Sequence, residues 1–348
     1  MPPDPIVPVT YRERDGSASD NGGDDAGYER LSRTDRAFLK GLNNEPPLGH
    51  LPVEEERRRM RAGQASEFKD FEVSTSLYET PACRVLIVRP RMAEGILPIT
   101  FYLHGGGWVL GDVTTHTRLI SELAIRSGSA VGFVQYPLAP ENPFPNALES
   151  CLAAMSDVVD HAKSLGLDAE RFALAGDSSG GNLTAACILL AQKRGMPLPL
   201  LQVLLYPVLE HEPVTSSYQE YGDNPNLSWQ TMKWFWNSYL QGQPESANPL
   251  VSPLRASETE FAAFPATLIV TCEYDVLRDE GEDLAARLVH AGVDVTAVRW
   301  LGALHGFLVT ELLAQSASAD ACIGLVAEYL KKGFAAEERR LCSQSIMS

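Results

Sequence analysis

The chain has few basic residues for its size, and this deficit excludes two classes of partner. Its 348 residues include 29 Lys and Arg against 45 Asp and Glu, which gives a formal net charge of −16 at pH 7. Nucleic acids and anionic membrane surfaces both bind basic patches, so neither is an expected partner. No stretch approaches the roughly 18 uninterrupted apolar residues of a membrane span, and the first residues contain no apolar core of a secretory signal. These absences predict a cytoplasmic protein.

Cysteine is scarce and scattered, which argues against a disulfide framework and a cysteine-based metal site. The six cysteines form no C-x-x-C pair and do not cluster with histidine; they are Cys83, Cys151, Cys187, Cys272, Cys322 and Cys342. Most lie in apolar runs, where cysteine is usually a small buried hydrophobe, so we expect reduced thiols. No nucleotide-binding signature accompanies the glycine-rich segments. No metal and no organic cofactor are predicted.

The pattern along the chain indicates a core, two additions and two tails. Residues 1–28 are rich in Pro, Gly, Ser and Asp and are predicted to be disordered. Residues 29–70 look helical and would form a lid or an outer support. The remaining divisions are two core segments, the insert between them and a C-terminal tail: 71–208, 265–335, 209–264 and 336–348.

In the predicted core, short β-rich runs alternate with helical ones. Runs such as PITFYLHG, RFALAGDS and ATLIVTCEYD are nearly continuous in apolar residues. Such strands between helices imply a mostly parallel sheet that helices cover on both faces. Ligands of these sheets bind beyond the carboxyl ends of the strands, so functional residues should come directly after strands.

The strongest chemical signal is the run GDSSGG at 176–181, which follows an apolar run and precedes a helical stretch. A strand, a sharp turn and a helix are the context of a G-x-S-x-G nucleophile elbow, where the serine lies beside the helix N-terminus. Only Ser178 has glycine at both required positions, so it is the predicted nucleophile, and Ser179 would contribute its backbone N–H. The alternative is a glycine-rich turn without a chemical role.

A second signal is the run HGGGW at 104–108, directly after the strand ITFYL. Acyl transfer needs hydrogen-bond donors because negative charge develops on the carbonyl oxygen, and a glycine run at a strand end can supply backbone N–H groups. A flexible loop or a phosphate cradle is the alternative. His104 is interpreted as a structural anchor of this loop.

The base and the acid follow from chain order. Serine hydrolases with such an elbow place Asp or Glu after the serine and His last. Of the two histidines well beyond ATLIVTCEYD, His290 falls inside a predicted helix, whereas His305 follows the strand VTAVRW. Asp275 ends its strand and is the predicted acid; Asp279 is the runner-up, although it more readily opens the next helix as a cap, and Glu273 is still within the strand.

The insert breaks the alternation and is rich in aromatic residues. Within eleven residues it holds Trp229, Met232, Trp234, Phe235, Trp236 and Tyr239. These side chains either pack the insert onto the core or line a substrate pocket as part of a cap, since an exposed patch this apolar would be unusual. The candidates for the pocket are Trp108, Trp229, Met232, Phe235 and Trp236.

Together these segments resemble the hormone-sensitive-lipase-like family of α/β-hydrolase esterases, whose pattern is HGGGW, YRLAPE with FPAALED, GDSAGG, DPLRDEG and HGF. This chain has the corresponding segments in the same order: HGGGW at 104–108, YPLAPENPFPNALES at 136–150, GDSSGG at 176–181, DVLRDEG at 275–281 and HGF at 305–307. The resemblance covers about residues 70 to 335. It implies an α/β-hydrolase fold with a mostly parallel eight-stranded sheet, helices on both faces, and a helical cap from the N-terminal segment and the insert.

The resemblance also implies residue roles. The implied triad is Ser178, Asp275 and His305, and the implied oxyanion hole consists of Gly106, Gly107 and the Ser179 N–H, with Gly105 nearby. Three positions depart from the family pattern without removing a catalytic group. Ser179 replaces alanine and adds a hydroxyl near the oxyanion, Pro137 replaces arginine and removes a potential ion-pair partner, and Val276 replaces proline.

The predicted function is hydrolysis of carboxylic esters with small or short-chain acyl groups through an acyl-enzyme, with a small-molecule ester as the substrate. An amide hydrolase or a deacetylase of a specialised metabolite would use the same residues, so the pocket decides between them. A non-catalytic receptor on this scaffold is disfavoured because His305 is present. The oligomeric state is not fixed, although the family often forms homodimers.

Overall fold

The computed structural model describes residues 28–63, 67–243 and 247–347. The tail predicted to be disordered, residues 1–28, therefore lies outside the described residues except for Tyr28. Among the described residues, no helix is both long and apolar enough to cross a membrane. Five cysteines of this part of the chain are free thiols, as the sequence predicts: Cys83, Cys151, Cys187, Cys272 and Cys322.

Within the described residues, eight strands form one sheet. They are β1 (Val73–Glu79), β2 (Arg84–Pro90), β3 (Leu97–Leu103), β4 (Ala130–Gln135), β5 (Leu167–Asp177), β6 (Leu201–Leu205), β7 (Ala266–Tyr274) and β8 (Val295–Leu304). Their order across the sheet is β1-β2-β4-β3-β5-β6-β7-β8. β2 runs antiparallel to both of its neighbours, and the pairs from β4 to β8 are parallel. The mostly parallel sheet is confirmed.

Eleven helices of the described residues accompany this sheet. They are α1 (Arg33–Leu42), α2 (Val53–Ala62), α3 (Val113–Ser127), α4 (Asn146–Asp160), α5 (Ser179–Arg194), α6 (Ser216–Tyr221), α7 (Trp229–Leu240), α8 (Glu258–Ala262), α9 (Arg278–His290), α10 (Glu311–Ala314) and α11 (Ala317–Met347).

The sheet separates two apolar cores. Successive residues of a strand point to opposite faces, and in β3 Phe101 joins the core shared with α4, α5 and α9, whereas Tyr102 joins the core shared with α3 and α11. Every residue of β6 is buried. Strands covered on both faces have no polar side to present, which explains why their sequences are nearly continuous apolar runs.

The last helix is longer than the sequence indicates. The segment predicted as a C-terminal tail, 336–348, is instead helical as far as Met347, because α11 continues to that residue. Gly333 does not end the helix; a Cβ there would overlap the Leu201 side chain, so glycine instead permits close packing on the sheet.

The insert is fastened to the core at its first residues by a buried carboxyl group. Glu280, in the first turn of α9, accepts the backbone N–H groups of Leu209 at 2.6 Å and Glu210 at 3.0 Å. Its side chain is inaccessible to solvent. Burial, with a contribution from nearby Glu210, raises the pKa of Glu280 well above its ordinary value.

A Glu280→Gln variant is expected to gain stability relative to the wild type as the pH rises. A carboxyl whose pKa is higher folded than unfolded stabilises the fold fully below its unfolded pKa, about 4.5, and this contribution is lost as the pH rises through the folded pKa. Glutamine keeps the accepting oxygen and cannot ionise. Urea unfolding between about pH 5 and pH 8 measures the difference, with Glu79→Gln on the exposed edge strand as control. Parallel pH profiles for wild type and Glu280→Gln would contradict the assignment.

Candidate active site

Ser178 lies at the sharp turn between β5 and α5, where the sequence predicts a nucleophile elbow. Its φ of 54° is in the left-handed region, which is a strained conformation for a residue with a side chain. A Cβ at Gly176 would overlap the Gly180 carbonyl, and a Cβ at Gly180 would overlap the Leu103 carbonyl. The two glycines are therefore required by close packing of the turn against itself and against β3.

His305 bridges Ser178 and Asp275. Its Nε2 lies 3.0 Å from Ser178 Oγ, and its Nδ1 lies 2.7 Å from Asp275 Oδ2. Asp275 is wholly buried, and its other oxygen accepts the Leu277 N–H at 2.9 Å. The carboxylate therefore fixes the proton on Nδ1 and leaves Nε2 free to accept the proton of the Ser178 hydroxyl. This arrangement can activate a serine for nucleophilic attack.

The alternative candidates for the base and the acid have other partners. His290 is exposed on α9, 3.7 Å from Glu258. Glu273 accepts the Gly302 N–H at 2.7 Å and pairs with Arg30. Asp279 lies in the first turn of α9 but does not cap it, because the helix begins at Arg278 without a side-chain cap. The N–H that Asp279 accepts, at 2.8 Å, belongs to Ser217 at the start of α6.

The glycine loop, which we define as residues 104–112, lies beside the elbow. Gly106 and Gly107 have φ of 107° and 61°, and among the described residues their N–H groups have no acceptor. The Ser179 N–H begins α5, so no helical carbonyl precedes it. The placement of Gly105 in the oxyanion hole was wrong. Its N–H donates to Asp177 Oδ1 at 2.9 Å, so Gly105 supports the loop and is not an oxyanion donor.

A buried polar network holds the glycine loop against the elbow. Asp177 Oδ1 also accepts the Tyr102 hydroxyl at 2.9 Å and lies 3.2 Å from His116 Nε2. Burial would raise the pKa of Asp177, but His116 and Tyr102 outweigh it, and the pKa lies below its ordinary value. His104 has the structural role expected of it: its Nδ1 lies 2.8 Å from the Gly105 carbonyl, and burial lowers its pKa to about 4.

The hydroxyl of Ser179 has a defined place in this network. Its Oγ accepts the Trp108 N–H at 3.1 Å. The hydroxyl, which the family pattern lacks, therefore joins the glycine loop to the first residue of α5.

Of the residues predicted to line a substrate pocket, some lie beside the glycine loop and the others pack elsewhere. Phe235 faces Gly107, where a Cβ would overlap its ring. Trp236 lies 4.5 Å, between ring centroids, from Trp108. Trp229 instead packs edge-on against Tyr218, with ring centroids 5.2 Å apart, and Met232, also on α7, is buried in the apolar core.

Three further residues support the site and are missing from the predictions. Tyr206 packs edge-on against the His305 ring, with centroids 4.9 Å apart. Asn226 of the insert donates to the His305 carbonyl at 2.8 Å. Arg57 of α2 donates to the Val109 carbonyl at 3.0 Å. Tyr206 follows an apolar strand run, so its position at a strand end is a signal that the sequence contains. Asn226, in a loop, and Arg57, in a charged helix, have no such signal.

Comparisons with known proteins agree with this architecture. A family model of the alpha/beta hydrolase fold matches residues 100–309. An ethyl acetate hydrolase of Pseudomonas putida is 35% identical and covers 81% of this chain and 90% of its own length. A carboxylesterase of Mycobacterium tuberculosis is 33% identical, with coverages of 70% and 76%. The crystal structure of a thermostable esterase from Pseudomonas putida ECU1011 has a TM-score of 0.83 at 35% identity, covering 87% of this chain and 98% of that chain.

Proposed function

Because this chain belongs to the alpha/beta hydrolase fold family and is a carboxylic ester hydrolase, we propose that Ser178, His305 and Asp275 are its catalytic triad. The observation that carries the proposal is the position of His305, whose two ring nitrogens lie 3.0 Å from Ser178 Oγ and 2.7 Å from Asp275 Oδ2. The order of the three along the chain and the motifs around them support membership of the hormone-sensitive-lipase-like branch.

The first half of the reaction forms an acyl-enzyme. His305 Nε2 takes the hydroxyl proton as Ser178 Oγ attacks the ester carbonyl, and the Asp275 carboxylate stabilises the resulting imidazolium. The carbonyl oxygen becomes an oxyanion, which accepts hydrogen bonds from the N–H groups of Gly106, Gly107 and Ser179. The tetrahedral intermediate then expels the alcohol, and the His305 proton goes to the leaving oxygen.

The second half releases the acid. A water molecule gives a proton to His305 Nε2 and attacks the acyl carbon, and the same donors receive the new oxyanion. Collapse breaks the bond to Ser178 Oγ, which takes the proton back from His305. Protons and electrons balance without a metal or a redox group, and the products are a carboxylic acid and an alcohol.

The aromatic residues near the glycine loop support a preference for short acyl groups. Phe235 and Trp236 of α7 crowd the glycine loop from the insert side, and only a small part of Ser178 is accessible. We therefore propose that the insert and the N-terminal segment form a cap that limits the acyl chain. The proposed substrate is a small-molecule ester. The cytoplasmic location, the absence of nucleic acid and membrane partners, and a homodimer stay predictions.

Hydrolysis of p-nitrophenyl esters, from acetate to palmitate, tests the chain-length proposal. We expect kcat/KM to be highest for acetate to butyrate and to fall at least about 10²-fold by palmitate, because longer chains collide with the aromatic side chains. The matching p-nitroanilides are the comparison for amides and should be hydrolysed far more slowly. A preference for palmitate would contradict the short-chain proposal, and faster turnover of the anilides would indicate an amide hydrolase.

A further inference from the structure

The backbone of the glycine loop has a conformation that needs support from outside the loop. Trp108 has a φ of 61°, although it carries a bulky side chain. Left-handed backbone is unfavourable for such a residue and persists only where the surroundings impose it. Gly105 and Trp108 are held from the elbow side by Asp177 and Ser179. The carbonyls of Trp108 and Val109 have a second support, from residues outside the loop.

The side chain of Arg57 supplies that second support. Its Nε donates to the Val109 carbonyl at 3.0 Å, and its Nη2 donates to the Ala139 carbonyl at 3.0 Å. The Ala139 N–H in turn donates to the Trp108 carbonyl at 2.9 Å. The Arg57 guanidinium thus holds the Val109 carbonyl by a direct hydrogen bond. It holds the Trp108 carbonyl indirectly, through Ala139.

Arg57 is itself held rigidly. Glu141 accepts two hydrogen bonds from its guanidinium, at 3.0 and 2.7 Å, and Glu54 accepts a third at 2.6 Å. Arg57 is only 9% exposed, and a planar fork paired on both nitrogens has little rotational freedom. One turn later, Arg61 pairs with Asp112, the N-cap residue of α3, at 2.5 Å. Helix α2 therefore contacts the loop at two points.

The neighbouring arginine makes no such contact. Arg58 is exposed and pairs with Glu55 of the same helix. Arg57 and Arg58 therefore share helix, charge and chemistry and differ in whether they reach the glycine loop.

We propose that Arg57 is a positioning residue for the oxyanion hole. By holding the Val109 and Ala139 carbonyls, it fixes the peptide planes of the glycine loop and with them the direction of the Gly106 and Gly107 N–H groups. The N-terminal segment is then part of the working active site and not a detachable lid. This inference rests on the proposed function, because it takes these N–H groups as the donors to the oxyanion.

Arg57→Lys in the full-length protein tests this proposal with p-nitrophenyl acetate. Lysine keeps the charge but cannot bond two carbonyls and a carboxylate in one plane. Displacing oxyanion donors by about 1 Å is expected to lower kcat roughly 10- to 100-fold, while KM stays within about threefold because ground-state binding is unchanged. Affinity for a trifluoromethyl ketone, which forms an oxyanion on Ser178, should fall with kcat, whereas affinity for the unreactive ether analogue of the substrate should not.

Arg58→Lys is the matched control and should keep wild-type kcat and ketone affinity. Thermal unfolding checks that each variant is folded at the assay temperature; if Arg57→Lys is not, Arg57→Met, which leaves no unpaired buried charge, takes its place with the same expectation. Wild-type kcat in a folded Arg57 variant overturns the proposal, and so does a rise in KM alone or a loss of activity that follows the loss of folded protein. A wild-type enzyme that hydrolyses no ester would instead refute the proposed function.

Discussion

Replacing Ser178 with alanine is expected to reduce kcat for short-chain p-nitrophenyl esters by about 10⁵- to 10⁶-fold, the scale of loss when a serine nucleophile is removed. The hydroxyl 3.0 Å from His305 Nε2 is the group that would form the acyl-enzyme, and alanine leaves no nucleophile in its place. Neither the fold nor KM should change much, because the substitution removes only the hydroxyl group and leaves the rest of the site in place. Initial rates at saturating substrate measure the effect.

Ser179→Ala is the matched control, since the two serines are adjacent. Its hydroxyl accepts the Trp108 N–H and contacts the Tyr136 hydroxyl, so its loss should cost no more than about tenfold in kcat, the scale of a hydrogen bond. A phosphonate ester gives a second readout: the wild type and Ser179→Ala should gain the mass of one adduct, and Ser178→Ala should gain none. Undiminished turnover in Ser178→Ala would refute the nucleophile assignment.

The arrangement of Ser178, Asp275 and His305 could be predicted because each follows a strand directly. β5 ends at Asp177, β7 at Tyr274 and β8 at Leu304. The carboxyl ends of parallel strands meet at one edge of a sheet, so residues 127 positions apart in sequence come within 3.0 Å. Local pattern and topology together therefore determine this part of the site, and neither requires knowledge of individual side-chain contacts.

The support of the glycine loop could not be predicted in the same way. Arg57 belongs to the run EEERRR, and nothing in that run distinguishes it from Arg58; only the docking of α2 places one arginine on the Val109 carbonyl. The glycine run HGGGW likewise predicts free N–H groups without showing that the first of them, on Gly105, is bound by Asp177. Tertiary contacts decide both questions.

The side chains of the aromatic insert could be predicted in part. Met232, Phe235, Trp236 and Tyr239 recur at helical spacing and form the buried face of α7, a periodicity that could be read from the sequence. Trp229 has the same spacing, three residues before Met232 and seven before Trp236, but as the first residue of α7 it is only half-buried, and the Lys233 ammonium lies 4.9 Å from the centre of its ring. Periodicity thus predicts the face on which the aromatic residues lie, whereas how deeply each is buried and which of them reach Gly107 depend on how the helix is placed over the core.

Asp275→Asn is expected to lower kcat by about 10⁴-fold, as loss of the charged member of a serine triad does. The asparagine would keep the size of the side chain and the oxygen that accepts the Leu277 N–H. Its amide would instead favour the His305 tautomer that carries the proton on Nε2, and that tautomer cannot accept the proton of Ser178. Measurement of kcat and KM for p-nitrophenyl acetate should therefore show a loss in kcat with little change in KM.

Asp279→Asn separates this role from the other carboxylate of the same loop. Asp279 accepts the Ser217 N–H and pairs with Arg278, so its substitution removes contacts between the insert and α9 and leaves the His305 partner in place. We expect a lower midpoint in urea unfolding and a kcat within about fivefold of the wild type, since no transition-state contact is lost. A larger loss of kcat in Asp279→Asn than in Asp275→Asn would reverse the assignment of the acid. The reversal would also conflict with the 2.7 Å separation of Asp275 Oδ2 and His305 Nδ1, so the pair of variants tests the geometry and the chemistry together.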